Sequence, residues 1–561
     1  MDITDVLVNN ANTKHIHKDL LNALTEYYVE NVISSDDYIT MFNKIYNDED
    51  TYTQYESIIQ KIKSCSYRKY GLINILPSNI IDNTKQDHIV DLFSNDIIDR
   101  LNISLSADQH KLLHLLYSFS RNNKNRLCVN GYAGTGKTTI VIEFIKSLIS
   151  QPNKTNKLKV IFSTKTHKAL NVMHAKFKTN FKKISKNTVC FLTLDKMLNY
   201  EHRYNINGDH VFIKNNSNTI DFSKYNYIVI DESSMIPQSK VDDIQYVIEK
   251  NRKLKVVFIG DPNQLPPVNE SPNTLTNSDY FLTDIVRTAD HNLTTLYNNI
   301  RQWINGDKQK SGINDLFCKN IVAYNKQTQF DKWIDAYISS CENKNNILLT
   351  WTNEKSDYYN KLIRAKRGLN KIYQVGDCLI FNDFYNLPER SIDKRFYTSE
   401  QVYVNIVKKC KYTPCKFNVD ISQEKIISKI ISKINDYISS IEYNVYVLTI
   451  NTSSNIIVLF NNETYKYNHD IEHLQNVIKD IAWIDNNEID RLWNEYYKCM
   501  VKPFATVSYG YSITVHKSQS STYYNVFIDL DNIFTNANKC ECKRLIYTGF
   551  TRASHSIHIL C

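Results

Sequence analysis

Several features that define other protein classes are absent from this chain of 561 residues. No apolar run approaches the roughly 18 residues that a membrane-spanning helix needs, so we expect no membrane association through such a helix. The start of the chain, Met1 to Asp5, has neither a basic stretch nor an apolar core. It therefore lacks the pattern of a secretory signal. We expect an intracellular protein of the cytoplasm, the nucleus or the replication site of a virus, and not a secreted one.

The cysteines do not form a recognisable metal-binding or disulfide pattern. There are 12 of them, scattered along the chain, and the two close pairs, Cys410/Cys415 and Cys540/Cys542, have no matching second pair for a zinc site. We interpret them as reduced structural thiols. Residues 1–103 also contain no evident cluster of metal ligands, which argues against a fused nuclease.

The positive charge is distributed unevenly. The net charge is +9, but residues 1–103 hold 9 Lys/Arg against 16 Asp/Glu, a net charge of −7. The remaining residues hold 59 Lys/Arg and 43 Asp/Glu, a net charge of +16. A polyanionic partner such as a nucleic acid is therefore expected to bind the body of the chain and not its N-terminal segment.

The length predicts about three to four domains, and the pattern of apolar residues suggests where they lie. Residues 1–103 are predicted to be mainly helical, and their acidic charge and helicity suggest a domain that docks another protein. Residues 104–290 alternate strand-like and helical segments, which predicts an α/β domain with a parallel sheet. Within it, residues of about 200–222 are predicted to form a β-hairpin that turns at Asn207-Gly208.

A second α/β domain is predicted to be split by an insertion. Its two parts are residues 291–375 and 501–561, and residues 376–500 form the β-rich insertion. The insertion also contains a helix with isoleucines on one face, at positions 426, 430, 434 and 438. We interpret this face as core packing.

The run from Gly131 to Thr139, GYAGTGKTT, fits the phosphate-binding pattern G-x-x-x-x-G-K-[ST]. It follows an apolar strand-like segment and precedes an apolar helical one, which is the context that the pattern requires. Its backbone amides are expected to surround phosphate oxygens, while Lys137 reaches the β- and γ-phosphates and Thr138 binds Mg²⁺. The predicted ATP-binding residues of the loop are Gly131, Gly134, Thr135, Gly136, Lys137, Thr138 and Thr139.

Two further loops supply candidates for the chemistry. The apolar strand Ile228–Ile230 leads directly into Asp231 and Glu232. Adjacent strand residues point in different directions, so we expect Asp231 to bind Mg²⁺ and Glu232 to orient and deprotonate the attacking water. Gln264, in the loop after the next strand, is placed to sense the γ-phosphate or that water.

Together these segments resemble a superfamily 1 helicase of the B group, the class that contains the Dda-type and RecD-like DNA helicases. The resemblance covers about residues 104–561, and the motifs occur in family order. The further segments that carry it are LSADQ (105–109), STKTHKA (163–169), LTDIVR (282–287), YSITVHKSQ (511–519) and LIYTGFTRA (545–553).

The resemblance implies a fold and an activity. The fold is two tandem RecA-like parallel-sheet motor domains, with a β-hairpin inserted in the first and an SH3-like β insertion in the second. The activity is ATP-dependent translocation 5′→3′ along single-stranded DNA and unwinding of forked duplexes, in replication, recombination or repair. ATP is the substrate and Mg²⁺ the cofactor, and the hairpin is expected to separate the strands. For such an enzyme, a replication or single-strand-binding protein is the expected partner of residues 1–103.

The resemblance also assigns roles to residues outside the three loops above. Gln109 is expected to recognise adenine, Arg287 to contact the γ-phosphate and Arg552 to act as an arginine finger. The expected DNA-binding residues are Thr166, His167, Thr193, Thr514, His516 and Lys517. A further basic run, Lys176 to Lys186, is compatible with either the strand path or a solvated helix face.

Three positions depart from the family pattern. Ser520 stands where glycine is usual after the motif glutamine, Lys165 where proline is common, and Asp195 where histidine is common. An acid at 195 disfavours a phosphate contact there. The alternatives are a translocase that displaces proteins, a helicase that prefers RNA, and a non-catalytic single-strand-binding factor. The intact ATP-handling residues argue against the last. The residue composition is typical of an AT-rich genome, which with the compact layout suggests a viral or phage setting.

Overall fold

The computed structural model describes most of the chain beyond residue 103. The described residues are 104–150, 158–179, 188–204, 210–215, 219–267, 273–275, 277–287, 291–306, 320–340, 345–387, 395–419, 425–451, 454–481 and 486–561. Predictions for residues 1–103 and for the Asn207-Gly208 turn lie outside these ranges. Within the described ranges, no helix is both long enough and apolar enough to cross a membrane.

The chain divides into two compact units, which are described separately. The small unit comprises Met1–Lys124, Lys137–Val160 and Lys176–Val189, and the large unit comprises Asn125–Gly136, Ile161–Ala175 and Cys190–Cys561.

In the small unit, helix α1 (Ala107–Arg121) packs against helix α2 (Lys137–Ile149). Helix α1 begins with a capping box, in which the backbone amide of Gln109 donates to the Ser106 hydroxyl and the amide of Ser106 donates to Gln109 Oε1. In α2, the buried Lys146 ammonium lies 2.6 Å from Glu143 Oε1 and also donates to the carbonyls of Lys176 and Thr179. A buried charge needs such a full set of partners.

The first sheet of the large unit has six strands. Their spatial order is β3 (Val189–Thr193), β2 (Val160–Thr164), β6 (Tyr227–Asp231), β7 (Lys255–Gly260), β1 (Arg126–Gly131) and β8 (Tyr280–Leu282). The pairs β6–β7, β7–β1 and β1–β8 are parallel. Helices α3 (His167–Lys178), α4 (Leu194–Met197) and α5 (Gln238–Lys250) connect strands of this sheet along the chain. Residues 228–230 are fully buried, as expected for a strand covered on both faces.

The predicted hairpin is present as strands β4 (Tyr200–Tyr204) and β5 (His210–Lys214), which pair antiparallel. Its base is joined to α5. Tyr200 donates to Asp243 Oδ2 over 2.8 Å, Lys214 forms an ion pair with Asp243 Oδ1 at 2.7 Å, and the Lys240 ammonium lies over the ring of Tyr200. Lys240 also lies 3.4 Å from Asp195, so the unexpected acid at 195 has an ion-pair partner in the protein.

The second sheet is parallel throughout. Its order is β18 (Ser512–Thr514), β10 (Asn346–Thr350), β19 (Tyr523–Asp529), β20 (Ala553–Leu560) and β9 (Ile321–Tyr324). The helices that accompany it are α6 (His291–Ile304), α7 (Lys326–Ser340), α8 (Asn353–Lys366), α12 (Leu530–Phe534) and α13 (Lys539–Phe550). Ala133 and Leu265, from loops of the first sheet, belong to the same buried cluster as α6 and α13. The predicted fold class, α/β with two parallel sheets, is confirmed.

The insertion contains a five-stranded antiparallel sheet. Its order is β16 (Ser454–Leu459), β15 (Tyr443–Ile450), β14 (Gln401–Tyr412), β11 (Cys378–Phe381) and β17 (Val507–Tyr509). A short ladder, β12 (Tyr385–Asn386) with β13 (Arg395–Phe396), lies between β11 and β14 in the chain. Strand β17 pairs with β11, so this sheet continues beyond residue 500, where the insertion was predicted to end.

Three helices of the insertion contribute to a buried cluster that also includes Tyr443 and Val445 of β15. They are α9 (Lys425–Ser440), α10 (Thr464–Ile481) and α11 (Asn486–Tyr496). Ile434 and Ile438 are buried in this cluster, which confirms the core-packing interpretation for these two isoleucines. The buried Asp470 carboxylate accepts hydrogen bonds from the hydroxyls of Tyr437 and Tyr443, at 2.7 and 2.8 Å.

Candidate active site

The phosphate-binding pattern lies where β1 ends and α2 begins. Strand β1 ends at Gly131 and α2 begins at Lys137, so a short loop leads directly into the N-terminus of a helix. Gly134 and Gly136 have φ values of +88° and +82°, in the left-handed region that favours glycine. The buried Thr135 hydroxyl donates to the carbonyl of Tyr132 over 3.0 Å, which tightens the loop.

The loop is held by the segment that carries Arg287. The carbonyl of Gly134 accepts hydrogen bonds from the amides of Val286 and Arg287, at 2.9 and 3.0 Å. A side chain at position 134 would bring its Cβ within 2.8 Å of the Arg287 Cβ. Glycine is therefore required at position 134 both for its backbone conformation and for this close approach. The structure thus brings the phosphate loop and Arg287 together.

A tyrosine that the sequence analysis did not single out joins this loop to a carboxylate. Tyr547, on α13, accepts from the Ala133 amide over 3.2 Å and donates to Asp261 Oδ2 over 2.8 Å. Burial, followed by the charge of Asp261, raises the pKa of Tyr547 well above its usual range, so the hydroxyl keeps its proton. We call each parallel sheet with its helices an α/β block, so the first sheet defines the first block and the second sheet the second block. Because α13 belongs to the second block, Tyr547 connects two loops of the first block to the second.

The Asp261 carboxylate organises the loop that carries Gln264. It is 1% exposed and also accepts from the Asn263 amide and from Gln264 Nε2, at 3.1 and 3.3 Å. Gln264 Oε1 is buried and has no hydrogen-bond partner in the described part of the chain. From the second block, Arg544 donates to the carbonyls of Pro262 and Gln264.

The two acids at the end of β6 have different surroundings. Asp231 Oδ1 accepts from the Glu232 amide over 2.9 Å. Glu232 has a φ of +54°, and its Oε1 accepts from the Ser520 hydroxyl of the second block over 3.2 Å. Both carboxylates are half-buried. The sharp change of backbone direction at Glu232 separates the two side chains, which suits separate roles.

The hard oxygen donors that Mg²⁺ prefers are present in the predicted positions. Asp231 offers a carboxylate at the end of β6, and Thr138 offers a hydroxyl in the first turn of α2. Each donor, taken separately, has the chemistry of a ligand to Mg²⁺ that is bound to nucleotide phosphates. Among the described residues there is no group of three or more His, Cys, Asp or Glu that would hold a metal without such a ligand.

The two predicted arginines are both engaged with protein acceptors. Arg287 donates to the carbonyl of Thr551 over 2.8 Å. Arg287 remains exposed to solvent. The surrounding protein nevertheless lowers the pKa of its guanidinium to about 10, mainly by desolvation and then by repulsion from Arg552. Arg287 therefore remains charged at physiological pH. Arg552 is only 2% exposed and donates to the carbonyls of Thr548 and Ser521 and to the Thr551 hydroxyl. Arg552 must exchange its hydrogen bonds before it can contact a phosphate.

The remaining nucleotide candidates lie in the small unit. Gln109 is buried, and its Oε1 is occupied by the capping box of α1. Lys137 and Thr138 occupy the first turn of α2, and the Thr139 hydroxyl accepts from Lys176 over 3.4 Å.

Two of the predicted DNA-binding residues cap helices. The Thr166 hydroxyl accepts from the amide of Ala169 over 3.2 Å, and the Thr193 hydroxyl accepts from the amide of Lys196 over 3.4 Å. Such caps stabilise the first turns of α3 and α4.

His167 is packed in an aromatic cluster. Its ring stacks on Tyr397 at 4.2 Å and on Phe384 at 5.8 Å, both from the insertion. Burial, with the charges of Lys196 and Arg395, lowers its pKa to about 4. His167 is therefore neutral at physiological pH and presents a ring, not a positive charge, to a ligand.

The candidates from the second block lie at the end of β18. Thr514 is buried, and Lys517 donates to Asn382 Oδ1 over 3.2 Å. His516 lies 3.7 Å from Glu541, and burial lowers its pKa although Glu541 opposes the shift. In this structure, Lys517 supplies a positive charge beside the insertion.

Tyr547, Arg544 and Tyr397 were not singled out from the sequence, and Ser520 was noted only as a departure from the family pattern. The first two lie within or next to the LIYTGFTRA motif, so only their motif position could have marked them. Nothing in the local sequence indicated that Tyr397 stacks on His167, because the two are far apart in the chain.

Comparisons with known proteins agree with the order of the motifs. A family model described as an AAA domain matches residues 104–314, and one described as a UvrD-like helicase C-terminal domain matches residues 509–560. The uncharacterized protein R530 of Acanthamoeba polyphaga mimivirus is 29% identical over 522 residues, covering 85% of this chain and 99% of that protein.

Two named proteins are more distant relatives in sequence. The RecBCD enzyme subunit RecD of Buchnera aphidicola is 25% identical, covering 82% of this chain and 74% of that protein. The ATP-dependent DNA helicase Dda of phage T4 is 21% identical, with 81% and 98% covered. Among solved structures, a Bacteroides Pif1 helicase with ADP-AlF3 and single-stranded DNA has 15% identity and a TM-score of 0.41, with 82% and 92% covered. Together, these family-model matches and relatives support a superfamily 1 helicase of the B group.

Proposed function

We propose that this protein is an ATP-dependent DNA helicase that moves 5′→3′ along single-stranded DNA and unwinds duplexes in replication, recombination or repair. The similarity to the phage T4 protein Dda, an ATP-dependent DNA helicase, supports the reaction. A mimivirus relative that matches along almost its whole length supports a viral setting. A protein partner for residues 1–103 stays a prediction.

One observation carries the proposal. Loops at the first sheet that carry the nucleotide motifs are hydrogen-bonded to side chains and carbonyls of the second α/β block. Tyr547 contacts Ala133 and Asp261, and Arg287 contacts Thr551. A ligand that rearranges these loops must therefore change how the two blocks contact each other, and repeated cycles of such a change would produce stepping.

The proposed chemistry follows from the residue types. Lys137 and the loop amides would hold the phosphates, and Thr138 and Asp231 would hold Mg²⁺, which supplies charge neutralisation when bound. Glu232 would accept a proton from the attacking water, and Gln264 would help to orient it. Arg287 and Arg552 would stabilise the charge on the transferring phosphate once Arg552 has left its carbonyl partners.

The proposed DNA path uses neutral and charged groups. Thr166, Thr193, Thr514 and Lys517 would contact the backbone, which requires no base readout. His167, being neutral, would offer its ring for stacking or donate one hydrogen bond, and His516 would be a further contact. The hairpin β4–β5 would separate the strands.

The test is ATP hydrolysis by the purified full chain with and without single-stranded DNA or RNA of the same sequence. We expect stimulation by DNA, and loss of turnover in Lys137→Ala and Glu232→Gln with the fold intact by circular dichroism. Unchanged turnover in both variants would contradict the proposed site. Stronger stimulation by RNA would contradict the proposed substrate and leave the site standing.

A further inference from the structure

A contact between Ser520 and Glu232 is not explained by the roles assigned so far. The Ser520 hydroxyl donates to Glu232 Oε1 over 3.2 Å. Ser520 belongs to the loop after β18 in the second block, whereas Glu232 follows β6 in the first. The contact therefore joins a residue of the last part of the chain to the side chain that we propose as the proton acceptor.

Both residues have an unusual backbone conformation. In the described residues, five positions other than glycine have a positive φ: Asn199, Glu232, Ser399, Asn451 and Ser520. Two of these five form this single contact. A left-handed conformation is unfavourable for serine and glutamate, and such strain persists where the surroundings determine it, often at functional sites. Glycine would adopt this conformation at position 520 without strain, so we look for a contact that the serine side chain makes and glycine would not.

The hydroxyl is the group that glycine lacks. A hydroxyl that donates to a carboxylate occupies one of its lone pairs and fixes its rotamer. At 3.2 Å the bond is long for an O–H···O contact, so a small movement is enough to break it. Arg287 also acts electrostatically on Glu232, so Ser520 is one of several groups around this carboxylate.

We propose that Ser520 is a positioning residue that restrains Glu232 while no nucleic acid is bound, and that movement of the second block releases Glu232 for hydrolysis. The proposal rests on the proposed role of Glu232 in ATP hydrolysis. Ser520 contacts no reacting atom. It acts by setting the ratio between ATP turnover without DNA and turnover with DNA.

Three substitutions separate the hydrogen bond from the backbone conformation. Ser520→Gly removes the hydroxyl and relieves the strain, whereas Ser520→Ala removes the hydroxyl and keeps the strain. Ser520→Asn tolerates the left-handed conformation and retains a donor. Ser399→Gly relieves the same kind of strain in the turn before β14 and serves as a control for strain alone.

The experiment measures kcat and KM for ATP at zero and saturating single-stranded DNA, with the melting temperature of each variant. We expect Ser520→Gly and Ser520→Ala to raise the DNA-free kcat about tenfold, equivalent to about 1.4 kcal/mol of barrier. Their KM and their DNA-saturated kcat should stay within about twofold of the wild type. Ser520→Asn and Ser399→Gly should resemble the wild type.

The possible outcomes are distinct. An unchanged DNA-free kcat in both the glycine and the alanine variants overturns the proposal. A change in only one of these two variants also overturns it, because both lack the hydroxyl and they differ only in the backbone conformation. If Glu232→Gln retains full turnover, the proposed function of Glu232 fails instead. A melting temperature of Ser520→Gly at or above the wild-type value shows that the variant is folded.

Discussion

Replacing Tyr547 with phenylalanine removes one oxygen atom that joins the phosphate loop to Asp261. The hydroxyl accepts from the Ala133 amide and donates to the Asp261 carboxylate, at 3.2 and 2.8 Å, in a fully buried position. Phenylalanine fills the same space, so the core packing of α13 is kept. Only the two hydrogen bonds between the blocks are lost.

The magnitude follows from the partners that remain. A hydrogen bond to a charged group contributes about 1.5–3 kcal/mol, and a buried amide left without a partner costs about 1–3 kcal/mol. The two hydrogen bonds share one oxygen atom, so their contributions do not add fully, and we expect the substitution to destabilise the contact between the blocks by about 2–3 kcal/mol. About half of this free energy is expected to act on the placement of the phosphate loop. A loss of about 1.4 kcal/mol there lowers kcat/KM for ATP about tenfold.

A matched control exists in the second block. Tyr337 is equally buried, and its hydroxyl donates to the carbonyl of Tyr511 over 2.6 Å. Tyr337→Phe should lower the melting temperature in a similar way without changing kcat/KM. The assays are steady-state ATP hydrolysis and thermal melting of both variants. The reasoning is refuted if the two variants have the same kcat/KM.

Four further predictions concern other contacts. Arg287→Lys keeps a positive charge but loses the planar guanidinium. Single-turnover ATP hydrolysis should therefore slow by about 10²-fold, as when one oxyanion-hole donor is removed, while nucleotide binding stays nearly unchanged. His167→Phe preserves the stack on Tyr397, so its affinity for single-stranded DNA in fluorescence anisotropy should stay near the wild-type value, whereas His167→Ala should weaken it. The pKa of His167 is about 4 in the folded protein and near 6.5 in the unfolded chain, so the unfolded chain binds more protons between pH 4 and pH 6.5. Acidification across this range should therefore lower the melting temperature of the wild type more than that of His167→Phe. Lys240→Met removes the cation over Tyr200 at the hairpin base, so duplex unwinding should fall more than DNA-stimulated ATP hydrolysis, and equal losses would contradict a positioning role for Lys240.

Local sequence patterns predicted the parts of this protein that depend on neighbours in the chain. The strands around Val129, Ile161, Val229 and Val257 are continuous apolar runs, and they form the first parallel sheet. The phosphate loop was recognisable because its glycines and its flanking strand and helix are all within a few residues of each other.

Contacts between distant segments were not predictable in this way. Strand β17 joins the insertion sheet because it pairs with β11, about 130 residues earlier in the chain. The acid at position 195 looked anomalous until the structure placed Lys240 beside it. Likewise, Tyr547 and Ser520 matter because of partners in the other α/β block, which no local pattern reveals.

The most direct test of the central claim is ATP-driven unwinding of two matched duplexes, one with a 5′ single-stranded tail and one with a 3′ tail. We predict that only the 5′-tailed duplex opens, and that Lys137→Ala opens neither. Opening of the 3′-tailed duplex alone would contradict the proposed direction. Failure to open either duplex, despite DNA-stimulated ATP hydrolysis, would contradict the proposed unwinding and leave a translocase.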